Sequence, residues 1–228
     1  MPTVDDTLAA SVTALLPRAL DRGGEDAFAR ALAWLAEAER LRRGVPEPVT
    51  GALHVTALTQ GELLRREYDL SVHAHGGWPL GAIVLDVLGT IHVNMAAGFP
   101  AGDRLLRTVA EALAATFPGA PVVRIHGDCF AVLLVPSADT ELVPAHVTTA
   151  RAAMRDAAAG LRAEVPALPV GLDATVTGLS LRVHDPSHWQ VLGPLVWGEL
   201  ERTHVVGRRG DAGEARIVAR TLRLDGRV

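Results

Sequence analysis

The sequence predicts an α+β fold in which helices cover a ferredoxin-like central antiparallel sheet. Apolar runs of strand length alternate along the chain with stretches of helical periodicity. Two of these runs are separated only by His126-Gly127-Asp128, which is typical of a hairpin turn and hence of an antiparallel pair. With 228 residues, of which 49% are hydrophobic, the chain can bury one sizeable core.

The first part of the chain, residues 1–44, has the pattern of a helical segment. Apolar residues recur at helical spacing in two stretches, which Arg22-Gly23-Gly24 separates. The second stretch ends in arginines ahead of Gly44 and Pro46, as expected where helix breakers follow a cationic last turn. We therefore expect a helical N-terminal segment at residues 1–44 and a mixed domain at residues 45–228.

Four elements are predicted in the first half of the mixed domain. Residues 80–87 (LGAIVLDV) are a nearly continuous apolar run, which is typical of a buried strand. Residues 102–117 have the period of a helix and end before Pro118-Gly119. Residues 121–125 and 129–135 are the apolar runs on the two sides of the hairpin turn, so they predict its two strands.

The second half of the domain continues the alternation of helix and strand. Residues 143–164 are rich in alanine and are closed by Pro166, which predicts a helix. Residues 170–183 alternate apolar and polar side chains as a strand does. A third helix is predicted at residues 185–202 and a last strand at residues 215–224.

Composition and charge exclude several classes of protein. All 22 basic residues are arginine, so enzymes that need a Schiff-base lysine or a phosphate-loop lysine are excluded. The net charge of -4 gives no general attraction to DNA or to an anionic membrane, and we expect neither as a partner. The single cysteine, the acidic start and the lack of a long apolar stretch favour a cytoplasmic protein.

Asp86 is the most informative residue, because it interrupts an apolar strand. An unpaired buried carboxylate is costly, so Asp86 must lie at an exposed strand end, accept hydrogen bonds or hold a cation. Asp128 lies at the hairpin turn, and the two carboxylates converge if their strands are neighbours. Such a pair favours Mg²⁺ with substrate phosphates. The alternative is that Asp86 caps a strand end and Asp128 is only a turn residue.

Three ordered motifs resemble those of diguanylate cyclase (GGDEF) domains. Residues 124–134 (RIHGDCFAVLL) resemble the signature hairpin, which has an arginine, one residue, Gly-Gly-Asp/Glu-Glu-Phe and an apolar strand. Upstream, residues 84–86 (VLD), Asn94 and residues 102–106 (GDRLL) are similar to the strand aspartate, the asparagine and the Gly-Asp helix start of the family. Residues 47–51 (EPVTG) are similar to the opening of its domain. The fold expected from this resemblance is the GGDEF, nucleotidyl-cyclase-like palm.

The resemblance also implies roles for individual residues. Asp86 and Asp128 are the implied catalytic residues and the ligands of Mg²⁺ (or Mn²⁺). The implied substrate-binding residues are Asn94, Asp103, Gly127 and His126. The implied partner is GTP or a related purine nucleotide. A homodimer is also implied, because two such domains face each other to form cyclic di-GMP.

Several positions depart from the family pattern. His126 replaces the first glycine of the signature, and Cys129 replaces its glutamate. Ile91 stands where the family has a phosphate-contacting lysine, and Leu88 stands where it has a second strand acid. The C-terminal cationic pair of the family has no clear counterpart. The arginines that could take its place are Arg202, Arg208 and Arg209.

Three functions therefore stay open at this point. The first is a divergent GGDEF domain that binds a guanine nucleotide with Mg²⁺ and has weak or altered cyclase activity. The second is a catalytically inactive module that senses a nucleotide or binds a protein partner. The third is an enzyme that acts on another nucleotide, in a pocket changed by His126 and Cys129.

Overall fold

The computed structural model describes five parts of the chain: residues 46–70, 77–134, 144–184, 188–208 and 215–223. The predicted helical segment at residues 1–44 lies outside the described residues. Its extent, and the domain boundary that follows it, therefore stay predictions. Among the described helices, none combines the length and the apolar character needed to cross a membrane.

The described residues form six strands and six helices. The strands are β1 (Leu53–His54), β2 (Trp78–Leu88), β3 (Val122–His126), β4 (Cys129–Leu134), β5 (Asp173–His184) and β6 (Arg216–Arg223). The helices are α1 (Val55–Thr59), α2 (Glu62–Leu70), α3 (Thr90–Ala97), α4 (Phe99–Thr116), α5 (Pro144–Glu164) and α6 (Trp189–Arg208).

The six strands form one sheet in the order β1-β3-β4-β2-β5-β6. The three central pairs are antiparallel, and the pairs at the two edges, β1 with β3 and β5 with β6, are parallel. The hairpin turn makes β3 and β4 antiparallel, whereas α6 carries the chain back across the sheet and makes β6 parallel to β5. The predicted α+β fold with a central antiparallel sheet is confirmed.

The central strand β2 is buried on both faces, which explains its nearly continuous apolar sequence. Ile83, Leu85 and Val87 pack with residues of α4 and α5. Leu80, Ala82 and Val84 alternate with them and pack on the opposite face with residues of α1, α2 and α6. Because side chains alternate along a strand, Asp86 belongs to the face that α6 covers.

The structure differs from the predicted elements mainly where helices begin and end. The helix predicted from residue 102 begins at Phe99, and the separate helix α3 precedes it. The last helix reaches Arg208 instead of ending at residue 202. Its final two turns bury Thr203 and His204, so tertiary packing extends the helix beyond the apolar pattern that predicted it.

Helices α1 and α6 pack closely at Gly193. A Cβ atom at this position would lie 2.5 Å from the Thr59 carbonyl oxygen and 2.6 Å from the Leu58 carbonyl oxygen. Both neighbours are backbone atoms, so neither can turn aside as a side chain could. The glycine therefore sets the distance between the two helices and the position of α6 over the sheet.

We expect Gly193→Ala to lower the free energy of unfolding by about 1 to 3 kcal/mol, because the added methyl group pushes α6 away from α1. Gly160→Ala in α5 is the matched control, since a Cβ there meets no atom within 4 Å. The control should be neutral or stabilising by up to about 1 kcal/mol, because alanine favours a helix. Urea denaturation of both variants measures the difference. Equal effects at the two positions would contradict the close packing.

Candidate functional site

The sheet brings the two predicted carboxylate residues to neighbouring positions. Asp86 near the end of β2 lies opposite Cys129 at the start of β4. The Val87 amide donates to the Asp128 carbonyl oxygen at 3.1 Å, which places the hairpin turn beside the end of β2. Asp86 is almost completely buried, with 1% of its surface exposed, while Asp128 is half-buried.

The partners of Asp86 come from the last two turns of α6. Arg208 Nε donates to Asp86 Oδ2 at 2.7 Å, and His204 Nε2 lies 3.4 Å from the same oxygen. The hydrogen bond with Asp86, followed by the charge of that carboxylate, raises the pKa of Arg208. The other oxygen, Oδ1, is buried and has no hydrogen-bond partner among the described residues. Asp86 is therefore neutralised by an arginine of its own chain.

Asp128 fixes the hairpin turn to the start of α3. Its carboxylate accepts a hydrogen bond from the Thr90 hydroxyl group at the first position of that helix. Gly89 precedes this residue with a φ of 87°, a conformation that few other residues adopt. The contact therefore holds the turn beside the loop that joins β2 to α3.

A second set of contacts fixes the hairpin from the other side. Arg124 Nε donates to the Gly127 carbonyl oxygen at 2.8 Å, and Arg124 Nη1 lies 2.8 Å from Glu47 Oε2. Glu47 also accepts from the Thr50 amide at 2.9 Å and from the Thr50 hydroxyl group at 2.7 Å. The opening motif of the domain thus supports the signature hairpin through Arg124.

Glu47 is held as a carboxylate. Its partial burial raises its pKa, but the hydrogen bonds with Thr50 and Arg124 outweigh that effect and lower the pKa to about 2. Arg124 and Glu47 are both mostly buried, with 15% and 13% of their side chains exposed, so water screens the pair only partly. The ionised form of Glu47 is therefore part of the folded structure.

The two residues that replace the glycine and the glutamate of the signature lie side by side. His126 pairs with Cys129 across the hairpin, and the His126 ring packs edge to face against His204 with the ring centroids 5.1 Å apart. Glu201 Oε1 lies 3.3 Å from His126 Nε2. Cys129 is fully buried; its burial, followed by the charge of Asp86, raises the pKa of its thiol far above the usual range. The free Cys129 thiol is therefore neutral and not a nucleophile.

The residues predicted to read a guanine base lie at a different corner, formed by α3 and α4. Asn94 is half-buried, and its Oδ1 atom has no hydrogen-bond partner in the described part of the chain. The Asn94 amide lies so close to Gly102 that a Cβ atom there would overlap Oδ1. Asp103 is the next residue of α4 and is exposed. The backbone thus places the Asn94 amide against Gly102, the residue that precedes the exposed Asp103.

The sequence model described as "Diguanylate cyclase, GGDEF domain" matches residues 55–174, just over half of the chain. The chain belongs to the GGDEF family. No curated protein matches the sequence.

Solved GGDEF proteins have a similar fold. Diguanylate cyclase SiaD from Pseudomonas aeruginosa, in complex with its activator SiaC, is 22% identical with a TM-score of 0.57; the match covers 95% of this chain and 76% of SiaD. The coiled coil and GGDEF domain of DgcB from Caulobacter crescentus, in complex with c-di-GMP, is 21% identical with a TM-score of 0.53; the match covers 84% and 98% of the two chains. At these identities the similarity supports the fold.

The structure decides which described arginine approaches the GGDEF carboxylates. Arg202 hydrogen bonds to Glu199 at 2.5 Å, so it is engaged elsewhere on α6. Arg208 instead reaches Asp86, and Arg209 lies outside the described residues. The sequence contained one signal for this arrangement, because His204 and Arg208 are four positions apart and share a helix face. Nothing local indicated that this face covers Asp86.

As placed, the residues around Asp86 fit Mg²⁺ poorly. Mg²⁺ needs oxygen ligands in a nearly octahedral arrangement. Arg208 already neutralises the Asp86 carboxylate, and His204 Nε2, a nitrogen and not an oxygen, lies 3.4 Å from it. Leu88, where the family has a second acid, supplies no oxygen from its side chain.

We expect the stability of the domain to fall between about pH 5 and pH 2, partly through Glu47. A carboxyl with a lowered pKa stabilises the fold above its ordinary value of 4.5, and this contribution is lost as the pH falls to about 2. Glu47→Gln should therefore cost about 1 to 2 kcal/mol of unfolding free energy at pH 7 and little at pH 2.

Denaturant unfolding at several pH values measures this difference. Glu62→Gln, at an exposed position of α2, is the matched control. A Glu47→Gln effect that is the same at pH 7 and pH 2 would contradict the assignment of the ionised carboxylate to the fold.

Proposed function

We propose that this GGDEF domain binds a guanine nucleotide as a regulatory module and forms little or no cyclic di-GMP. The observation that supports nucleotide binding is the corner of Asn94 and Asp103, where an amide with a buried unpaired oxygen lies beside an exposed carboxylate. The GGDEF domain of DgcB has been solved with c-di-GMP, a guanine dinucleotide, both with and without its coiled coil, which agrees with this choice of base.

The chemistry of the corner matches guanine. The base presents N1–H and an amino group as donors, and O6 and N7 as acceptors. The unpaired Asn94 Oδ1 atom and the Asp103 carboxylate can accept from the two donors, while the Asn94 amide nitrogen can donate to O6 or N7. Adenine presents its amino group where guanine has O6, so it cannot make the same set of hydrogen bonds. Gly102 is needed because a side chain there would displace the Asn94 amide.

The phosphate end of the proposed site, formed by β2, the hairpin and α6 around Asp86, supports nucleotide binding without efficient turnover. Formation of cyclic di-GMP needs cations that neutralise the charge developing on the α-phosphate. The chain has no lysine for this purpose, and Arg208 donates to Asp86. We infer that Mg²⁺ or Mn²⁺ at Asp86 and Asp128 adds little to nucleotide affinity, because Asp86 already has a counter-charge. A regulatory module also does not require the homodimer that the cyclase reaction needs.

A weak cyclase is the second candidate function, and the neighbouring positions of Asp86 and Asp128 favour it. If Arg208 left Asp86, both carboxylates would be available on adjacent strands. This candidate needs a divalent cation at those residues, whereas the regulatory module does not. Nucleotide binding and product formation must therefore be measured separately.

We expect GTP to bind the full chain, and Asn94→Ala or Asp103→Asn to weaken that binding at least about tenfold, because each removes hydrogen bonds to the base. Isothermal titration calorimetry with GTP and with ATP measures the affinities. Asp156→Asn, at an exposed position of α5, is the matched control and should bind GTP as the wild type does. Absence of GTP binding, or equal affinity for GTP in all variants, would rule out guanine recognition by the corner of Asn94 and Asp103.

Analysis of the products after incubation with GTP and Mg²⁺ separates the two candidates. We expect the wild type to release no cyclic di-GMP, because Arg208, the described arginine that reaches the phosphate end, is paired with Asp86. Cyclic di-GMP that disappears in both Asp86→Asn and Asp128→Asn would instead establish the weak cyclase. Arg208→Ala should make GTP binding more dependent on Mg²⁺, since it removes the counter-charge of Asp86.

A further inference from the structure

Three potential metal ligands from two distant parts of the chain meet at the end of the sheet. His126 and Cys129 belong to the hairpin, and His204 belongs to α6. One ligand atom from each residue, a ring nitrogen or the thiol sulfur, lies within 4.8 Å of the other two. We propose that His126, Cys129 and His204 bind a divalent cation of the zinc class, at the point where GGDEF domains are expected to hold Mg²⁺.

The donor atoms select this class of cation. Two imidazole nitrogens and one thiolate sulfur are ligands that Zn²⁺ prefers, whereas Mg²⁺ is bound through oxygen. Tetrahedral bonds of about 2.0 to 2.3 Å place the ligand atoms about 3.3 to 3.8 Å apart. The three donors lie within 4.8 Å of one another, so they need to approach by at most about 1.5 Å. Binding replaces the Cys129 thiol proton with the metal and releases that proton to the solvent.

Unpaired buried atoms are the second observation that supports a ligand here. His204 is 8% exposed, and its Nε2 atom has no hydrogen-bond partner among the described residues. Asp86 is 1% exposed, and its Oδ1 atom also has no hydrogen-bond partner among the described residues. Among the described residues, His204 Nε2 has only the long 3.4 Å contact with Asp86 Oδ2, and Asp86 Oδ1 has no partner, so both atoms can accept a cation or a water molecule. Asp86 Oδ2 lies 3.4 Å from His204 Nε2, so this carboxylate is next to the three-residue group and can turn toward a bound cation.

The surroundings are those of a metal site as well. Glu201 lies 3.3 Å from His126, where a carboxylate can orient the imidazole. Arg208 opposes a cation here, but 55% of its side chain is exposed, so it can turn into solvent. Ordinary packing accounts for a small buried Cys129, but among the described residues it leaves Asp86 Oδ1 without a hydrogen-bond partner and His204 Nε2 with only a long contact. The bound metal explains both signature replacements together.

Cobalt provides a direct test, because Co²⁺ occupies zinc sites and gives optical absorption bands. The chain contains one cysteine, so a sulfur-to-cobalt charge-transfer band can arise only from Cys129. We expect the full chain, freed of metal with a chelator, to bind one Co²⁺ with this band and with the strong visible bands of a tetrahedral ion. Zn²⁺ should then displace the cobalt and raise the melting temperature.

Cys129→Ser should abolish the charge-transfer band and weaken Zn²⁺ binding at least about 100-fold. Removal of a residue that only hydrogen bonds to a metal ligand already weakens metal binding about 10- to 100-fold, and removal of the ligand itself should weaken it more. His126→Ala should weaken binding similarly, and this residue is exposed enough for the fold to tolerate the change. His92→Ala, at an exposed histidine of α3, is the matched control and should bind as the wild type does. Circular dichroism verifies that each variant is folded.

Absence of the charge-transfer band in the wild type would overturn the proposal. Zn²⁺ affinity that is equal in the wild type, Cys129→Ser and His126→Ala would also overturn it. The outcome is independent of nucleotide binding, because the titration uses the metal alone and the Asn94 corner contributes no ligand.

Discussion

The buried charge of Asp86 is the constraint on which the site depends. A carboxylate with 1% exposure cannot remain ionised without a counter-charge or hydrogen bonds. Arg208 supplies both from the last residue of α6, so that helix must run six residues beyond its apolar pattern and must lie close to β2. The close approach of α1 at Gly193 sets the position of α6. The charge of Asp86 on β2 thus accounts for the length of α6, a helix more than 100 residues later in the sequence, and Gly193 accounts for its position.

The two ends of the site are built from different elements, and this separation allows one to change without the other. The base corner consists of Asn94, Gly102 and Asp103 on α3 and α4. The phosphate end consists of β2, the hairpin and α6. The phosphate end brings imidazole nitrogen and thiol sulfur close to the Asp86 carboxylate. Because the two ends are built from different elements, recognition of a nucleotide and its chemical conversion are separable questions here.

The sequence predicted the parts of the fold that have a local pattern. Residues 80–87 are apolar throughout because β2 is covered on both faces, and the hairpin follows from its short polar turn. The short helices α1, α2 and α3 were not predicted, since such segments depend more on tertiary packing than on their own periodicity. The Arg208 contact was also beyond prediction, because it joins residues 122 positions apart. Arg208 was one of three possible arginines, and only the path of α6 distinguishes it from Arg202.

The Cys129 side chain is compatible with the site both without and with a bound metal ion. Without a metal, a neutral thiol behaves as a small apolar group, and it packs with Ala131 and Leu133 on the α6 face of the sheet. A glutamate at this position would add a second buried carboxylate beside Asp86, which Arg208 alone could not neutralise. With a metal, the same sulfur becomes a ligand and the cation takes over the neutralisation of Asp86 from Arg208. The replacement is therefore compatible with the fold in both states, and the exposed Arg208 side chain is the part that changes place.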